Sequence, residues 1–201
     1  MIVSGRGPEP AGQSPSYASL QAPAPGSLVQ VRTEWIGFYD THYHRVVRFV
    51  MHNGASQADA QDATQEAFIE SWKLMSSDPG RWQAITGKEA WIRTVALRRA
   101  RRPPGSRRRP LTAGDELPDL PAPGPGHEEL TVQAQLVLRA LRALDEEART
   151  VMAFDLDGIP AADIARELNI TQQRVRDVRK KARTILKHEL AGNTIPRRRQ
   201  P

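Results

Sequence analysis

The sequence predicts an all-α protein built from two small helical domains. Three observations lead there. Apolar residues recur at i, i+3 and i+4 through two long stretches, the spacing of one buried helix face. No segment carries a convincing period of two. Proline is segregated: of 16 prolines, twelve fall within residues 1–30 and 103–127. Two proline-poor blocks remain, 31–102 and 128–191. A length of 201 residues accommodates them, at roughly 100–200 residues for an ordinary domain. Residues 1–30, rich in Pro, Gly, Ser and Ala, read as a disordered tail. Residues 103–127 read as a Pro/Gly/Arg-rich linker, semi-extended where prolines cluster. Residues 192–201 read as a basic tail.

Each element has its own signal. Ile36, Tyr39, Tyr43, Val46, Val47 and Val50 form the stripe of a first helix. Gly54 and Ser56 mark a turn. A second helix is expected over about 57–75, with Ala60, Ala63, Ala67, Phe68 and Trp72 facing in. Asp78-Pro79-Gly80 breaks it, leaving Trp82 in a loop. A third helix is expected over about 88–102, with Trp91, Ile92 and Val95 inward, closed by Pro103-Pro104. Nine of the eleven aromatics lie in this block, where a small domain needs large side chains to bury enough area. In the second block, Leu130, Gln133–Val137, Leu141 and Leu144 suggest one helix. Asp145-Glu146-Glu147 is an acidic start for the next, and Asp157-Gly158 ends it. A short helix follows Pro160. Asn169 suits a left-handed turn, and Thr171 is the expected N-cap of a long basic helix.

Charge and composition exclude several classes. The chain has no cysteine, so it has no disulfide, thiol nucleophile or Cys-based zinc site. No apolar run reaches the roughly 20 residues of a membrane span, and the N-terminus lacks a secretory leader's apolar run. A soluble cytoplasmic protein without membrane insertion is expected. His42 and His44 point to different helix faces, so no metal site is expected. No P-loop, glycine-rich fingerprint or serine elbow is present. No enzyme activity and no cofactor are expected. Net charge is +6, and its layout is uneven. Residues 76–110 carry ten Lys/Arg against Asp78 and Glu89, and residues 169–201 carry ten against Asp177 and Glu189. Two basic blocks on an otherwise acidic chain suit a polyanion gripped at two places; solvated basic faces are the plainer alternative.

Residues 161–180 have the pattern of a helix-turn-helix. Ala165 is small where two helices cross, Asn169 sits at the turn, and Ile164, Leu168, Ile170 and Val175 supply a shared core. The second helix presents Thr171, Gln172, Gln173, Arg174, Arg176, Arg179, Lys180 and Arg183. Arg and Gln near a helix start reach base edges in a major groove; later Lys and Arg suit phosphates. The preferred apolar stripe runs 175, 178, 182, 185, which leaves Arg179 outward. Asp177 suits either a cytosine amino group or a local pair with Lys181, and the pair is favoured.

These residues carry a family resemblance. Leu156-Asp157-Gly158-Ile159, Asp163-Ile164-Ala165, Arg174-Val175-Arg176 and Ala182-Arg183 resemble the promoter-reading C-terminal region of bacterial sigma factors of the extracytoplasmic-function type. Asp59-Ala60-Gln61-Asp62-Ala63-Thr64-Gln65-Glu66-Ala67-Phe68-Ile69 with Trp72 is similar to that family's polymerase-binding helix. Trp82 and Trp91 match a specificity-loop aromatic and the tryptophan opening the next helix. The resemblance covers about 31–102 and 128–190, in family order. It implies core RNA polymerase and promoter DNA as partners, with an anti-sigma factor as inhibitor. It implies polymerase contacts at Asp62, Gln65 and Glu66, one polar face at i, i+3, i+4. It implies -10 contacts at Trp82, Arg98, Arg99, Arg101 and Arg102, and -35 contacts along 171–183. Trp82 fits stacking on an unpaired base or capping the bundle core equally well. Two departures stand out: Arg98 occupies a position where the family commonly has Asn, and the proline pair ends this helix early. Both leave a second reading open, a helix-turn-helix regulator without initiation activity.

Overall fold

The computed structural model describes residues 28–102 and 132–192. It is helical throughout, with no strand among the described residues. Residues 1–27 of the expected tail 1–30, the whole expected linker 103–127, residues 128–131, and 193–201 of the expected basic tail 192–201 lie outside them.

Helix α1 (Leu28–His52) begins slightly before the expected boundary at 31. Its buried stripe centres on Trp35 rather than Ile36, and continues through Tyr39, Tyr43, Val46 and Val50. Trp35 is fully buried, and its indole N–H donates to Ser71 Oγ at 2.9 Å. A buried indole needs such a partner, because an unmet donor costs about 1–3 kcal/mol. Ser71 in turn donates to the Phe68 carbonyl at 2.7 Å. Around Trp35 stand Tyr39, Phe68 and Trp72, with ring centroids 5.5, 6.4 and 5.4 Å away. This cluster joins α1 to α2 (Gln57–Ser77).

Local chemistry sets the ends. Gly54 takes φ +101 in the α1–α2 turn, a conformation few residues but glycine adopt. Ser56 caps α2 by accepting from Asp59 N. Asp78 both ends α2 and caps α3 (Pro79–Ala84), accepting from Arg81 N at 2.9 Å. The expected loop around Trp82 is therefore a short helix. Gly87 leads into α4 (Lys88–Ala100), whose last turn is closed by Arg101. Helices α1, α2 and α4 pack on one another, with α3 against α2.

The C-terminal unit has α5 (Val132–Leu141), α6 (Glu146–Leu156), α7 (Ala161–Leu168) and α8 (Gln172–Gly192). Arg149 satisfies the end of α5, donating to the carbonyls of Leu141 and Leu144. Asp145 caps α6 through Ala148 N. Helices α6 and α7 both lie on α8.

The two units share one core. α6 packs on α1, α7 on α4, and Phe49 meets Phe154 at 4.5 Å. At the centre of the joint, Arg93 Nε donates to Asp157 Oδ2 at 2.7 Å with both side chains out of solvent. Arg93 Nη1 donates to the Glu89 carbonyl, while Nη2 is buried without a partner. Arg48 approaches Asp157 from the exposed side at 3.4 Å. Thr150 donates to Asn53 Oδ1 at 2.8 Å, and Arg166 donates to the Thr86 carbonyl.

Two histidines on α1 are held below the ordinary value of 6.5. Burial is the main cause for both; Glu89 opposes it at His42 and Asp157 at His52. The unfolded chain therefore binds protons that the folded chain resists. The corresponding stability is complete above pH 6.5 and is lost as pH falls through that value toward the folded pKa values. Melting temperature should drop between about pH 7.5 and 5.5. His42→Gln with His52→Gln should flatten that slope, as read by thermal denaturation followed by circular dichroism.

Candidate nucleic-acid interface

The segment expected as a helix-turn-helix folds as two helices, α7 and α8, joined through Asn169–Thr171. Asn169 ends α7 in the left-handed region, φ 54 and ψ 44. Ile170 N–H returns to the Ala165 carbonyl at 2.9 Å. Thr171 Oγ1 accepts from Arg174 N at 3.1 Å, the expected N-cap of α8. Ile164 and Ala165 are buried against the α8 face made by Val175, Val178 and Ala182. That burial is the stripe preferred from sequence, and it fixes the rotation of α8.

The outward face holds Thr171, Gln172, Gln173, Arg174, Arg176, Lys180 and Arg183. Not all are equally available. Arg174 grips Glu147 of α6 with two bonds, Nε to Oε1 at 3.0 Å and Nη2 to Oε2 at 2.6 Å. That hydrogen bond holds the Glu147 carboxyl below the usual range. Arg183 donates to Asp155 at 2.9 Å. Arg176 leans on Gln173 Oε1 at 3.3 Å.

Arg179 corrects the expectation of an outward side chain. It is only 18% exposed, donates to the Ile159 carbonyl at 3.1 Å and lies 3.1 Å from Asp155 through Nε. Its position beside Val178, at the edge of the buried stripe, lets the long side chain fold back onto the α6–α7 corner. Asp177 also differs: it accepts from Gln173 at 3.0 Å, one turn back, rather than pairing with Lys181.

The second basic patch lies at the end of α4. Arg98 is exposed. Arg99 bonds Glu70, with Glu66 at 3.7 Å. Arg101 reaches across to Glu146 at 2.9 Å and Thr150 at 3.2 Å. Arg102 is exposed; the Arg107–Arg109 cluster lies outside the described residues.

Trp82 is not a free loop aromatic. It is buried on α3, with Phe38 at 5.3 Å, Trp91 at 5.8 Å and the Lys88 ammonium 5.4 Å over its ring. Asp78 caps a helical turn there, and that turn carries the indole onto the α1–α4 core. The residue that does line an opening is Trp91. A groove of about 490 Å³ between α2, α3 and α4 is lined by Leu74, Ile85 and Trp91 with Glu70, Lys73, Arg81 and Arg98. Lys73 and Arg81 were not singled out by sequence. Their spacing on separate helices hides that they share a groove with Arg98.

On α2, Asp62 and Gln65 are exposed, whereas Glu66 is half-buried beside Arg99. Glu66 is thus the least exposed member of the expected polar face. Among the described residues, no group of three His, Cys, Asp or Glu is placed to hold a metal, and no helix is long and apolar enough to cross a membrane.

Comparison with known proteins adds to this geometry. Residues 38–109 match the family model described as sigma-70 region 2. The match takes in most of α1 and all of α2, α3 and α4. No curated protein matches the chain. Among solved structures, CnrH in complex with the cytosolic domain of CnrY is similar, with a TM-score of 0.59 over 83% of this chain and 96% of that chain. Sequence identity is 17%, so the likeness concerns the fold. The N-terminal unit is thus similar to sigma-70 region 2 over residues 38–109, and the two-helix segment of α7 and α8 follows it.

The two classes of arginine on α8 should separate by experiment. Arg179→Ala should lower urea-unfolding stability by about 1–3 kcal/mol, because it removes a bond to a buried carbonyl. Arg176→Ala should stay within about 0.5 kcal/mol of the parent. Equal losses would contradict the assignment of Arg179 to the α6–α7 corner.

Proposed function

We propose that this chain is a sigma factor of the extracytoplasmic-function type. It binds core RNA polymerase and directs promoter-specific initiation. The observation that carries this is one of order. A sigma-70 region 2 match over 38–109 precedes, on the same chain, a helix-turn-helix whose second helix turns a basic face outward.

In this reading residues 31–102 form the polymerase-binding and -10 domain, and 128–191 the -35 domain. Asp62 and Gln65 on α2 meet the polymerase, with Glu66 at the edge of that contact. Gln172, Gln173 and Arg176 face base edges at the start of α8, where such side chains fit a major groove. Lys180 and Arg183 face phosphates. Arg174 reaches DNA by exchanging Glu147 for a phosphate or base. At the -10 element, Arg98 and Arg102 attract the backbone, and affinity falls steeply with salt as counterions are released. The groove beside Trp91, with Lys73 and Arg81, replaces Trp82 as the place for an unpaired base. Aromatic stacking is worth about 1–3 kcal/mol per base. Opening of DNA draws on these contacts and on the polymerase, and needs no catalytic group or cofactor from this chain. The protein works in the cytoplasm, where promoter and polymerase are. An anti-sigma partner fits the same reading, since the similar CnrH structure is a complex with the cytosolic domain of CnrY.

Run-off transcription tests the proposal. Purified core polymerase is given genomic fragments with and without the protein. Specific transcripts should appear only with it, and should fall at least about tenfold for Arg176→Ala combined with Gln173→Ala, the roughly 1–3 kcal/mol expected for one lost base contact. Site-selective DNA binding without polymerase and without transcripts would instead mark a helix-turn-helix regulator.

A further inference from the structure

A carboxylate is an unfavourable group on a helix face that meets DNA, because it repels the phosphates that neighbouring cations attract. Asp177 is such a group, exposed in the second turn of α8. Its surroundings offer it several cations. Lys180 and Lys181 line the same shallow groove, and its charge reaches Arg174. Its hydrogen bond nonetheless goes to a neutral group, the side-chain amide of Gln173, at 3.0 Å. The other end of that amide is also engaged: Gln173 Oε1 accepts from Arg176 Nη1 at 3.3 Å. Residues 173, 176 and 177 are spaced i, i+3 and i+4, so the three side chains share one strip of the helix. Burial of Val175 and Val178 turns that strip outward.

This pairing leaves the amide one orientation. A carboxylate only accepts hydrogen bonds, and a guanidinium only donates them. The Gln173 nitrogen therefore faces Asp177, and its oxygen faces Arg176. The reverse would set oxygen against carboxylate and N–H against guanidinium. A primary amide has two N–H donors and an oxygen with two lone pairs. One of each is engaged within the strip. One donor and one acceptor remain, on a side chain already held in place, so less rotamer freedom is lost when it binds.

A donor beside an acceptor matches one base edge in the major groove. Adenine offers N7 as acceptor and N6–H as donor, and glutamine pairs with both. Guanine offers two acceptors, N7 and O6, so the Gln173 oxygen would meet an oxygen. Thymine offers an acceptor and a methyl group, and cytosine an amino donor; each meets only half of the amide.

We propose that Asp177 is a positioning residue that fixes the Gln173 amide, and that the amide so fixed selects adenine at one position of the bound DNA. Placing that adenine in an upstream promoter element rests on the sigma-factor reading; the selection itself does not.

Base preference tests this directly. The full chain, with and without core RNA polymerase, is given a library of DNA duplexes with a randomised central segment, and the bound fraction is sequenced. One position should favour adenine by roughly tenfold or more, the discrimination expected of a bidentate pair. Gln173→Ala should erase the preference at that position. Asp177→Ala should relax the same position towards equal use of the four bases and leave the other positions unchanged. Asp177→Asn removes the charge but keeps an acceptor, so it should retain most of the preference. Both residues are exposed, and circular dichroism should show unchanged helicity in every variant. If Asp177→Ala and Asp177→Asn behave alike, Asp177 acts by charge alone and the proposal is overturned. It is overturned too if the position that depends on Gln173 favours another base, or if no position depends on Gln173. The expected pattern in the free chain, unchanged by polymerase and with no run-off transcript, keeps the selection of adenine and overturns the sigma-factor reading. The same pattern with polymerase, accompanied by transcripts, supports both.

Discussion

A single buried ion pair organises the relation between the two halves of this protein. Arg93 on α4 and Asp157 in the α6–α7 corner are 64 residues apart in sequence, and they meet where α1, α4 and that corner converge. The effective cost of burying each ion is several kcal/mol. The surroundings offset it in part: the Glu89 carbonyl takes one guanidinium N–H, and Arg48 adds a partly solvated cation. Phe49 against Phe154 supplies apolar burial on the same joint. The result is one continuous core from two sequence blocks, tied by a contact that is specific in geometry and incomplete in hydrogen bonding.

The same arithmetic of charge explains α8. α8 is strongly basic, yet its arginines do different things. Arg179 is folded back onto Ile159 and Asp155 and serves the corner that also presents Asp157. Arg174 and Arg183 are steadied by carboxylates of α6. Acidic residues on α6 thus hold part of the basic set of α8 in place without neutralising the face as a whole. Gln172, Gln173, Arg176 and Lys180 remain directed outward; in the proposed function the first three face base edges and Lys180 faces phosphate.

Much of the local structure was legible because it depends on neighbours in sequence. Thr171 is the expected cap and Asn169 the expected left-handed residue between two helices, while Ser56, expected at a turn, and Asp145, expected in an acidic helix start, are caps as well. The stripe 175, 178, 182 was legible for the same reason. What was not legible depends on distance. Nothing near Asp157 in sequence indicates that it is buried on Arg93. Trp82 was misplaced because Asp78-Pro79-Gly80 reads equally as a break or as the start of a new helix, and it is both. Ile36 and Trp35 are adjacent, and periodicity alone does not say which centres the stripe. Arg179 illustrates the limit of a helical wheel: a long side chain at the edge of a buried face can turn either way, and a carbonyl 20 residues earlier decides it.

The central claim is that Arg93 and Asp157 are energetically coupled across the joint. A double-mutant cycle in urea tests it most directly, with Arg93→Met, Asp157→Asn and the two combined in the full chain. Removing either partner alone should be more costly than its share of removing both, because a buried charge is left unpaired. The account predicts a coupling of about 1–3 kcal/mol, the range for residues in contact. Additivity within about 0.5 kcal/mol, as for distant sites, would show that the two residues do not hold the units together.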